Sequence, residues 1–289
     1  MTFTSPRVLV LGATGMLGHT VMRFLAEDTT LSVVGSARSA SSARLLPESL
    51  SNRIVTGVEV ENVDSLNAIF AATRPDVVVN CVGLVKQLES AADPLVALPI
   101  NAVFPHRLSR LCDVANARLI HVSTDCVFSG ARGMYTESDP SDANDLYGRS
   151  KYLGEVDHPH AITLRTSIIG HELAGAQGLV EWFLAQTSPI RGYSRAIFSG
   201  LPTVELARVI RDHVMPHPQL HGVYHVAAAP IAKLDLLTLV ANAYDRSTTI
   251  TPDPSLQIDR SLNGDRFQAS TGYVAPAWPE LVRRMRDFH

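Results

Sequence analysis

Short apolar runs alternate with amphipathic stretches along the first half of the chain. Runs typical of buried strands lie at Val8–Leu11, Leu31–Gly35, Asp76–Val82 and Arg118–Val122, with a weaker one at Arg53–Thr56. Helical periodicity follows the first run (Leu17, Val21, Phe24, Leu25) and recurs at Asn62–Ala72, Asn101–Ala115 and Asp145–Glu155. This alternation predicts an α/β fold with a doubly wound parallel sheet that carries helices on both faces.

The first predicted strand runs into a glycine-rich turn. Gly12, Gly15 and Gly18 stand at spacing three, directly before the first helical stripe. Such a turn aims helix N-terminal amides at a pyrophosphate, and its glycines allow a tight bend and close packing of helix on strand. We therefore predict a Rossmann dinucleotide site that includes Thr14, Met16 and Leu17; the alternative is a glycine turn that binds nothing.

From about Arg165 the pattern loosens, and Pro, Gly and Asn punctuate it more densely. Short strands are predicted at Ile162–Ile169 and Gly222–Val226, and helices at Leu179–Gln186, Val204–His213, Leu234–Tyr244 and Pro279–Met285. We predict a dinucleotide-binding domain at 1–167. Residues 168–289 are predicted to form mainly a substrate-binding lobe, with some strands and helices returning to the sheet.

The end of the second strand bears on the choice of cofactor. NAD sites usually carry an acidic residue there for the ribose 2′-hydroxyl. Here the strand runs into Ser36-Ala37-Arg38-Ser39, which contains no acid. Arg38 and Ser39 suit a 2′-phosphate, so NADP(H) is favoured. NAD(H) remains the alternative if Arg38 is only a solvated loop residue.

Tyr147 and Lys151 are candidates for proton transfer. Four residues apart on a predicted helix, they share one face. A nearby ammonium is expected to lower the tyrosine pKa from about 10, which suits proton exchange with a carbonyl or an alcohol. The alternative is a half-buried tyrosine beside a solvated lysine. Asn80–Gly83 and Ser123–Asp125 follow two strands at the sheet edge where ligands bind in such folds.

Together these segments resemble the extended short-chain dehydrogenase/reductases, and within them the dTDP-4-dehydrorhamnose reductase branch. The matching segments run nearly from end to end: Gly12–Gly18, Asn80–Gly83, Asn101 with Pro105 and Leu108, Ser123–Gly130, Tyr147–Lys151 with Leu153–Glu155, Leu164–Thr166, Arg260–Asn263 and Trp278–Leu281.

The resemblance implies a role for each catalytic candidate. Tyr147 would donate a proton to a keto oxygen, and Lys151 would hold the nicotinamide ribose and tune Tyr147. Thr124 would hydrogen-bond the same oxygen, with Ser123 as the alternative. The implied reaction is NADPH-dependent reduction of a nucleotide-linked keto-sugar of the 4-keto-6-deoxy class.

Further contacts are expected at the same edge. Besides the glycine turn, Arg38 and Ser39, the cofactor-binding candidates are Cys81, Val82, Gly83, Ser123, Tyr147 and Lys151. The substrate-binding candidates are Lys86, Thr124, Asp125, Cys126 and Ile168. Lys86 follows a strand end on the ligand side and can reach a phosphate there, although an exposed lysine is an equal alternative.

Two positions depart from the branch pattern. Cys126 and Ile168 stand where the branch carries aromatic residues near the sugar. Their smaller side chains reshape the pocket, so we expect a substrate other than dTDP-4-dehydrorhamnose, either a differently decorated sugar nucleotide or an unrelated bulky ketone. A nucleophilic role for Cys126 is disfavoured because no basic partner is evident in the sequence.

Two other functions stay open at this point. One is a nucleotide-sugar epimerase or dehydratase of the same superfamily, which would retain NAD(H) through its cycle. The other is a non-catalytic NADP-binding regulatory subunit. The changed aromatic positions keep the second alternative open, whereas the intact Tyr147–Lys151 pair argues against it.

Composition narrows the partners. The 289 residues carry a formal charge of −3 with no basic run, which argues against nucleic acid. No apolar stretch approaches the ~18 residues of a membrane span. Three cysteines without a CxxC pair suggest a reduced, cytoplasmic chain. A small nucleotide-sugar is thus the expected partner, and the resemblance makes a homodimer possible.

Histidines are not expected to bind a metal. His213, His217, His221 and His225 recur every fourth residue, but two prolines and a glycine interrupt any helix through them. We predict a polar surface loop there. His121, on the fifth strand, is expected to be a core histidine bonded to the backbone.

Overall fold

A computed structural model of the chain describes residues 5–85 and 89–289. Its strands are β1 (Arg7–Leu11), β2 (Ser32–Ala37), β3 (Ile54–Thr56), β4 (Val77–Asn80), β5 (Arg118–Thr124), β6 (Ala161–Thr166), β7 (Ile168–Ile169), β8 (Ile190–Phe198), β9 (Leu201–Pro202), β10 (Gly222–His225), β11 (Ile231–Ala232) and β12 (Ile250–Asp259).

Its α-helices alternate with these strands over the first half of the chain. They are α1 (Met16–Ala26), α2 (Ala40–Ala43), α3 (Glu48–Ser51), α4 (Val63–Thr73), α5 (Pro94–Ala97), α6 (Phe104–Val114), α7 (Leu146–Leu153), α8 (Leu179–Leu184), α9 (Thr203–Val209), α10 (Lys233–Ala243), α11 (Asp265–Thr271) and α12 (Trp278–Asp287). Short 3₁₀-helices lie at Glu89–Ala92 and Asp125–Val127, and π-helical turns lie at Leu98–Val103 and Ile210–Val214.

Seven parallel strands form the central sheet, in the order β10-β6-β5-β4-β1-β2-β3. The alternation of side chains along β1 shows why this strand reads as a continuous apolar run. Val8 and Val10 belong to one hydrophobic cluster, and Leu9 and Leu11 belong to another. Each face of the sheet therefore has its own core, as a sheet covered by helices on both sides requires. The predicted fold class is confirmed.

Two predicted elements differ in detail. The strand expected at Ile162–Ile169 breaks at Ser167, so that β7 leaves the central sheet and pairs with β9. The helix expected from Asn101 instead enters through the wider turn Leu98–Val103, and α6 begins at Phe104. In both cases the hydrophobic pattern continues across a local change of backbone geometry, which periodicity does not register.

The second half of the chain adds a small sheet of order β11-β8-β12 and returns β10 to the central sheet beside β6. Strands β8 and β12 were not predicted. The sequence signal for β8 was the alternation of small residues (Gly192, Ser194, Ala196) with larger ones, which matches the alternating burial of this strand. Pro252 and Pro254 obscure β12, although proline is tolerated there because β12 lies at an edge of its sheet. The boundary at residue 167 stays a prediction.

The histidine expectations were partly wrong. His225 lies in β10 and is fully buried, so it does not belong to a polar surface loop. His121 is buried as expected, but its Nδ1 accepts a hydrogen bond from the Asn80 side chain at 3.0 Å rather than bonding the backbone. Within residues 5–85 and 89–289 there is no group of three potential metal-binding side chains. In the same ranges, no helix is both long and apolar enough to cross a membrane.

Candidate active site

The glycine turn after β1 has the geometry of a phosphate-binding turn. Gly12 has a φ of +76°, and Gly15 forms the N-cap of α1 without any side-chain cap. A Cβ on Gly18 would lie 2.0 Å from the Gly12 carbonyl oxygen, so only glycine lets α1 pack this closely on the turn. The first amides of α1 therefore remain available to an anion. The side chain of Leu17 points into the core instead.

Polar groups at the end of β2 lie beside this turn. Ser36 is buried, and its hydroxyl accepts a hydrogen bond from the Gly12 amide at 3.2 Å. Arg38 and Ser39 follow the strand and are exposed. The Ser39 hydroxyl caps the four-residue helix α2 by accepting from the Ser42 amide. Arg38 is thus exposed at the carboxyl end of β2, beside the glycine turn.

The loop after β4 closes the site from the other side. A Cβ on Gly12 would touch Val82, and a Cβ on Gly83 would lie 3.7 Å from the Lys151 ammonium nitrogen. Asn101 fixes this loop because its Oδ1 accepts from the Leu84 amide at 2.9 Å. The segment 81–83 therefore bridges the glycine turn and helix α7. Lys86 lies outside the described residues.

Helix α7 packs closely through two glycines on two different segments, the turn after β5 and the turn before α6. A Cβ on Gly148 would lie 2.1 Å from the Cys126 carbonyl oxygen, and one on Gly154 would lie 1.9 Å from the Asn101 carbonyl oxygen. Asp145 caps the helix by accepting from the Gly148 amide at 2.8 Å. These contacts set the distance between α7, which carries Tyr147 and Lys151, and the end of β5.

Thr124, Tyr147 and Lys151 converge at the end of β5. Lys151 is buried, and its Nζ donates to the Val122 carbonyl oxygen at 2.8 Å. Burial lowers the pKa of Lys151 to about 8. Burial also raises the pKa of Tyr147 above its usual value, and a hydrogen bond with the Thr124 side chain opposes only part of that shift. The expectation of a lowered tyrosine pKa is wrong for these side chains, because desolvation raises the pKa and the nearby acidic groups of Cys126, Asp125 and Asp145 act in the same direction.

The turn after Thr124 carries two further candidates. The Cys126 amide donates to Thr124 Oγ1 at 3.1 Å. Burial raises the pKa of the Cys126 thiol to about 12, in line with the view that it is no nucleophile. Asp125 is buried and its pKa is raised by burial, while the positive charges of Arg260 and Lys233 act in the opposite direction. Both cations come from the second half of the chain.

Two predicted contacts use their side chains elsewhere. The hydroxyl of Ser123 donates to Glu155 Oε1 at 2.7 Å, so it is already engaged. Ile168 is half-buried, packs against the larger hydrophobic cluster and pairs with Leu201. It nevertheless stands two residues beyond the end of β6, at the same edge as Thr124.

Sequence reasoning assigned no role to three residues that organise the site. Asn101 and Glu155 entered only as parts of a family pattern, and His225 entered only as a surface histidine. All three are polar residues in apolar surroundings, which is a weak signal in a single sequence. Their partners become visible only when strands and helices are brought together.

Comparison with known proteins identifies the family. The chain matches the family described as RmlD substrate binding domain over residues 6–285. It belongs to this family. The prediction of an extended short-chain dehydrogenase/reductase of the dTDP-4-dehydrorhamnose reductase type is therefore confirmed, as is the class of enzyme, an oxidoreductase.

Three of the similar proteins are reductases. The chain is 31% identical over 231 residues to a probable low-salt glycan biosynthesis reductase, Agl14, of Haloferax volcanii, covering 78% of this chain and 70% of that protein. It is 32% identical over 154 residues to dTDP-4-dehydrorhamnose reductase of Streptomyces griseus, covering 53% and 45%. The fold matches the crystal structure of Bacillus anthracis dTDP-4-dehydrorhamnose reductase in complex with NADP, with a TM-score of 0.82, 20% identity and full coverage of both chains.

Proposed function

We propose that this protein reduces a keto group on a nucleotide-linked sugar of the 4-keto-6-deoxy class, with NADPH as the hydride donor and Tyr147 as the proton donor. The observation that carries the proposal is the meeting of Thr124, Tyr147 and Lys151 at the end of β5. They lie on the same sheet edge as the glycine turn after β1. Reductases among the similar proteins support the same reaction class.

The residues present fit a dinucleotide. The backbone from Gly12 to the start of α1 forms a cradle for a phosphate group. Gly12 has a positive φ, no side chain caps α1, and the space at Gly18 leaves no room for a larger residue. Arg38 at the end of β2 supplies a cation for a 2′-phosphate, and no acidic residue follows β2 to favour NAD. NADP(H) is therefore the cofactor that we propose, as in the similar Bacillus anthracis structure.

Tyr147, Thr124 and Lys151 have different roles in the proposed reaction. Bound NADPH supplies the hydride. Tyr147 gives its proton to the keto oxygen, and its raised pKa keeps the phenol protonated at neutral pH. The Thr124 hydroxyl orients the same oxygen, while the Lys151 ammonium holds the cofactor ribose and stabilises negative charge left on the phenol. The Val122 carbonyl oxygen fixes the direction of Lys151.

The sugar pocket is proposed to accept a substrate other than dTDP-4-dehydrorhamnose. Cys126 and Ile168 leave more room than aromatic rings would. Arg260 lies nearby, where its Nε donates to the Phe128 carbonyl oxygen at 2.7 Å, and its charge acts on Asp125. A pocket with less aromatic surface suits a differently decorated sugar or another bulky ketone.

A paired-tyrosine experiment tests the function. Fluorescence titration with NADPH and NADH comes first, followed by a panel of nucleotide-linked 4-keto-sugars with the reduced-nicotinamide absorbance as readout. We expect NADPH consumption that is lost in Tyr147→Phe. Tyr152→Phe is the matched control, because Tyr152 lies on the same helix but is 44% exposed. It should keep the activity.

Other outcomes would point to other functions. Tight NADPH binding without consumption on any sugar, unchanged in Tyr147→Phe, would contradict catalysis and favour a regulatory subunit. Protein purified with tightly bound NAD(H) that is regenerated in each cycle would favour an epimerase or dehydratase. Each result rejects the proposed reduction for a different reason.

A further inference from the structure

A buried ion pair lies just beyond the helix that carries Tyr147 and Lys151. Arg165 on β6 donates from Nε and Nη2 to Oε1 and Oε2 of Glu155, at 2.7 and 2.6 Å. The two side chains are only 4% and 5% exposed. A buried pair offsets its desolvation only when further hydrogen bonds satisfy the remaining donors and acceptors.

Those further bonds come from the neighbouring strands. The Ser123 hydroxyl donates to Glu155 Oε1 at 2.7 Å, and Arg165 Nη1 lies 3.2 Å from Nε2 of His225. Ser123, Arg165 and His225 are register partners across β5, β6 and β10. The row lies one residue before Thr124, so the ion pair lies close to the end of β5 that carries the candidate site.

Glu155 is the charged neighbour that affects the pKa of Lys151, because the other titratable neighbours, Cys81 and His121, are neutral at pH 7. Burial raises the pKa of Cys81 to about 12 and lowers the pKa of His121 well below its usual value, so both neighbours are neutral at pH 7. The negative charge of Glu155 opposes the effect of burial on the pKa of Lys151. Across the described ranges, no carboxylate comes within 4.0 Å of Lys151 Nζ, which bonds Val122 instead.

We propose that Glu155 and Arg165 are positioning residues for the Tyr147–Lys151 chemistry, and this inference rests on the proposed function. Arg165 holds the carboxylate of Glu155 away from a direct ion pair with Lys151. The carboxylate still favours the ammonium form from a distance. Lys151 thus remains cationic while its N–H groups stay free to hold a cofactor ribose.

The titration of Lys151 tests the proposal without cofactor or substrate. The sequence contains three lysines, Lys86, Lys151 and Lys233, so protein labelled with ¹³C at lysine Cε gives three NMR signals. Lys151→Arg assigns the signal of interest. We expect a midpoint near the pKa of about 8 in the unsubstituted protein. Glu155→Gln should lower this midpoint by about one pH unit, because it removes the charge that favours the ammonium.

A second variant protects the test against loss of folding. Glu155→Gln alone leaves the Arg165 guanidinium buried without its carboxylate, which is strongly destabilising. Glu155→Gln with Arg165→Met removes both charges and should shift the midpoint in the same direction by less. Asp76→Asn is the control for loss of a carboxylate, since Asp76 forms a bidentate but solvent-exposed pair with Arg7 at the amino ends of β1 and β4. It should leave the Lys151 midpoint unchanged.

The outcomes separate positioning from simple support of the fold. A Lys151 midpoint that stays within about 0.3 pH units in both variants, with a lower melting temperature, overturns the proposal. A lowered midpoint supports it, even if no sugar is reduced, in which case only the proposed function fails. Where NADPH consumption is measurable, the alkaline limb of kcat should move to lower pH by the same amount while KM for the sugar stays constant.

Discussion

Gly148→Ala tests whether close packing of α7 sets the catalytic geometry. The added Cβ would lie 2.1 Å from the Cys126 carbonyl oxygen and 2.7 Å from the Ala143 Cβ. An ordinary contact begins at 3.4 Å, and the nearer neighbour is backbone, which cannot rotate away. The helix must therefore withdraw by roughly 1 Å, and Tyr147 next to the substituted residue moves with it.

The expected effects differ for activity and stability. A displacement of this size at reacting groups costs on the order of 100-fold in rate. Overpacking destabilises the fold by about 1–3 kcal/mol, while alanine in place of a helical glycine returns up to ~1 kcal/mol. We therefore expect kcat to fall about 100-fold and the free energy of unfolding to fall by no more than about 3 kcal/mol.

Two measurements and one control decide the outcome. Reduced-nicotinamide absorbance gives kcat, and urea unfolding gives the free energy. Gly264→Ala is the matched control, because Gly264 has a negative φ and its Cβ would meet nothing closer than 3.8 Å. A Gly148→Ala protein with reduced stability but unchanged kcat would refute the reasoning, since the clash would then be absorbed without moving Tyr147.

Two further predictions concern the cofactor and the pH dependence of stability. Arg38→Ala should weaken NADPH binding at least about tenfold and leave NADH binding unaffected in fluorescence titrations, because a charge-assisted hydrogen bond contributes ~1.5–3 kcal/mol. Arg44→Ala is the control, because Arg44 is also exposed. Equal weakening of the binding of both cofactors would contradict a 2′-phosphate contact. Burial lowers the pKa of His225 from 6.5 to about 4, so the unfolded chain binds more protons between these values. The free energy of unfolding should therefore fall by about 3 kcal/mol as the pH drops through this window. His225→Gln should remove that contribution in urea titrations, whereas the exposed His221→Gln should not.

The parts of the site that could be predicted from the sequence are local ones. The glycine turn of Gly12, Gly15 and Gly18 lies within seven residues, and Tyr147 and Lys151 lie one helical turn apart. Backbone geometry alone relates such residues, so their spacing predicts their placement. The parallel sheet was predictable for the same reason, because each buried strand carries its own apolar run.

The buried ion pair between Glu155 and Arg165 could not be predicted from local spacing. Ser123, Arg165 and His225 are far apart in sequence, and only strand register brings them into one row. Register depends on which strands become neighbours, which periodicity does not specify. The same limitation affected His225, which its spacing grouped with His213, His217 and His221 although its place in the sheet is fully buried.

The raised pKa of Tyr147 has a consequence for the pH dependence of the chemistry. The prediction from the spacing of Tyr147 and Lys151 took account only of the lysine charge. Burial acts on both side chains and disfavours the charged form of each. Tyr147 consequently holds its proton more tightly, and Lys151 holds its proton less tightly, than either would in water. A phenol that stays protonated is suited to give a proton to a developing alkoxide, which is the step that reduction requires. Oxidation of an alcohol would need the phenolate as a base, so we expect the oxidation rate to require a higher pH than the reduction rate.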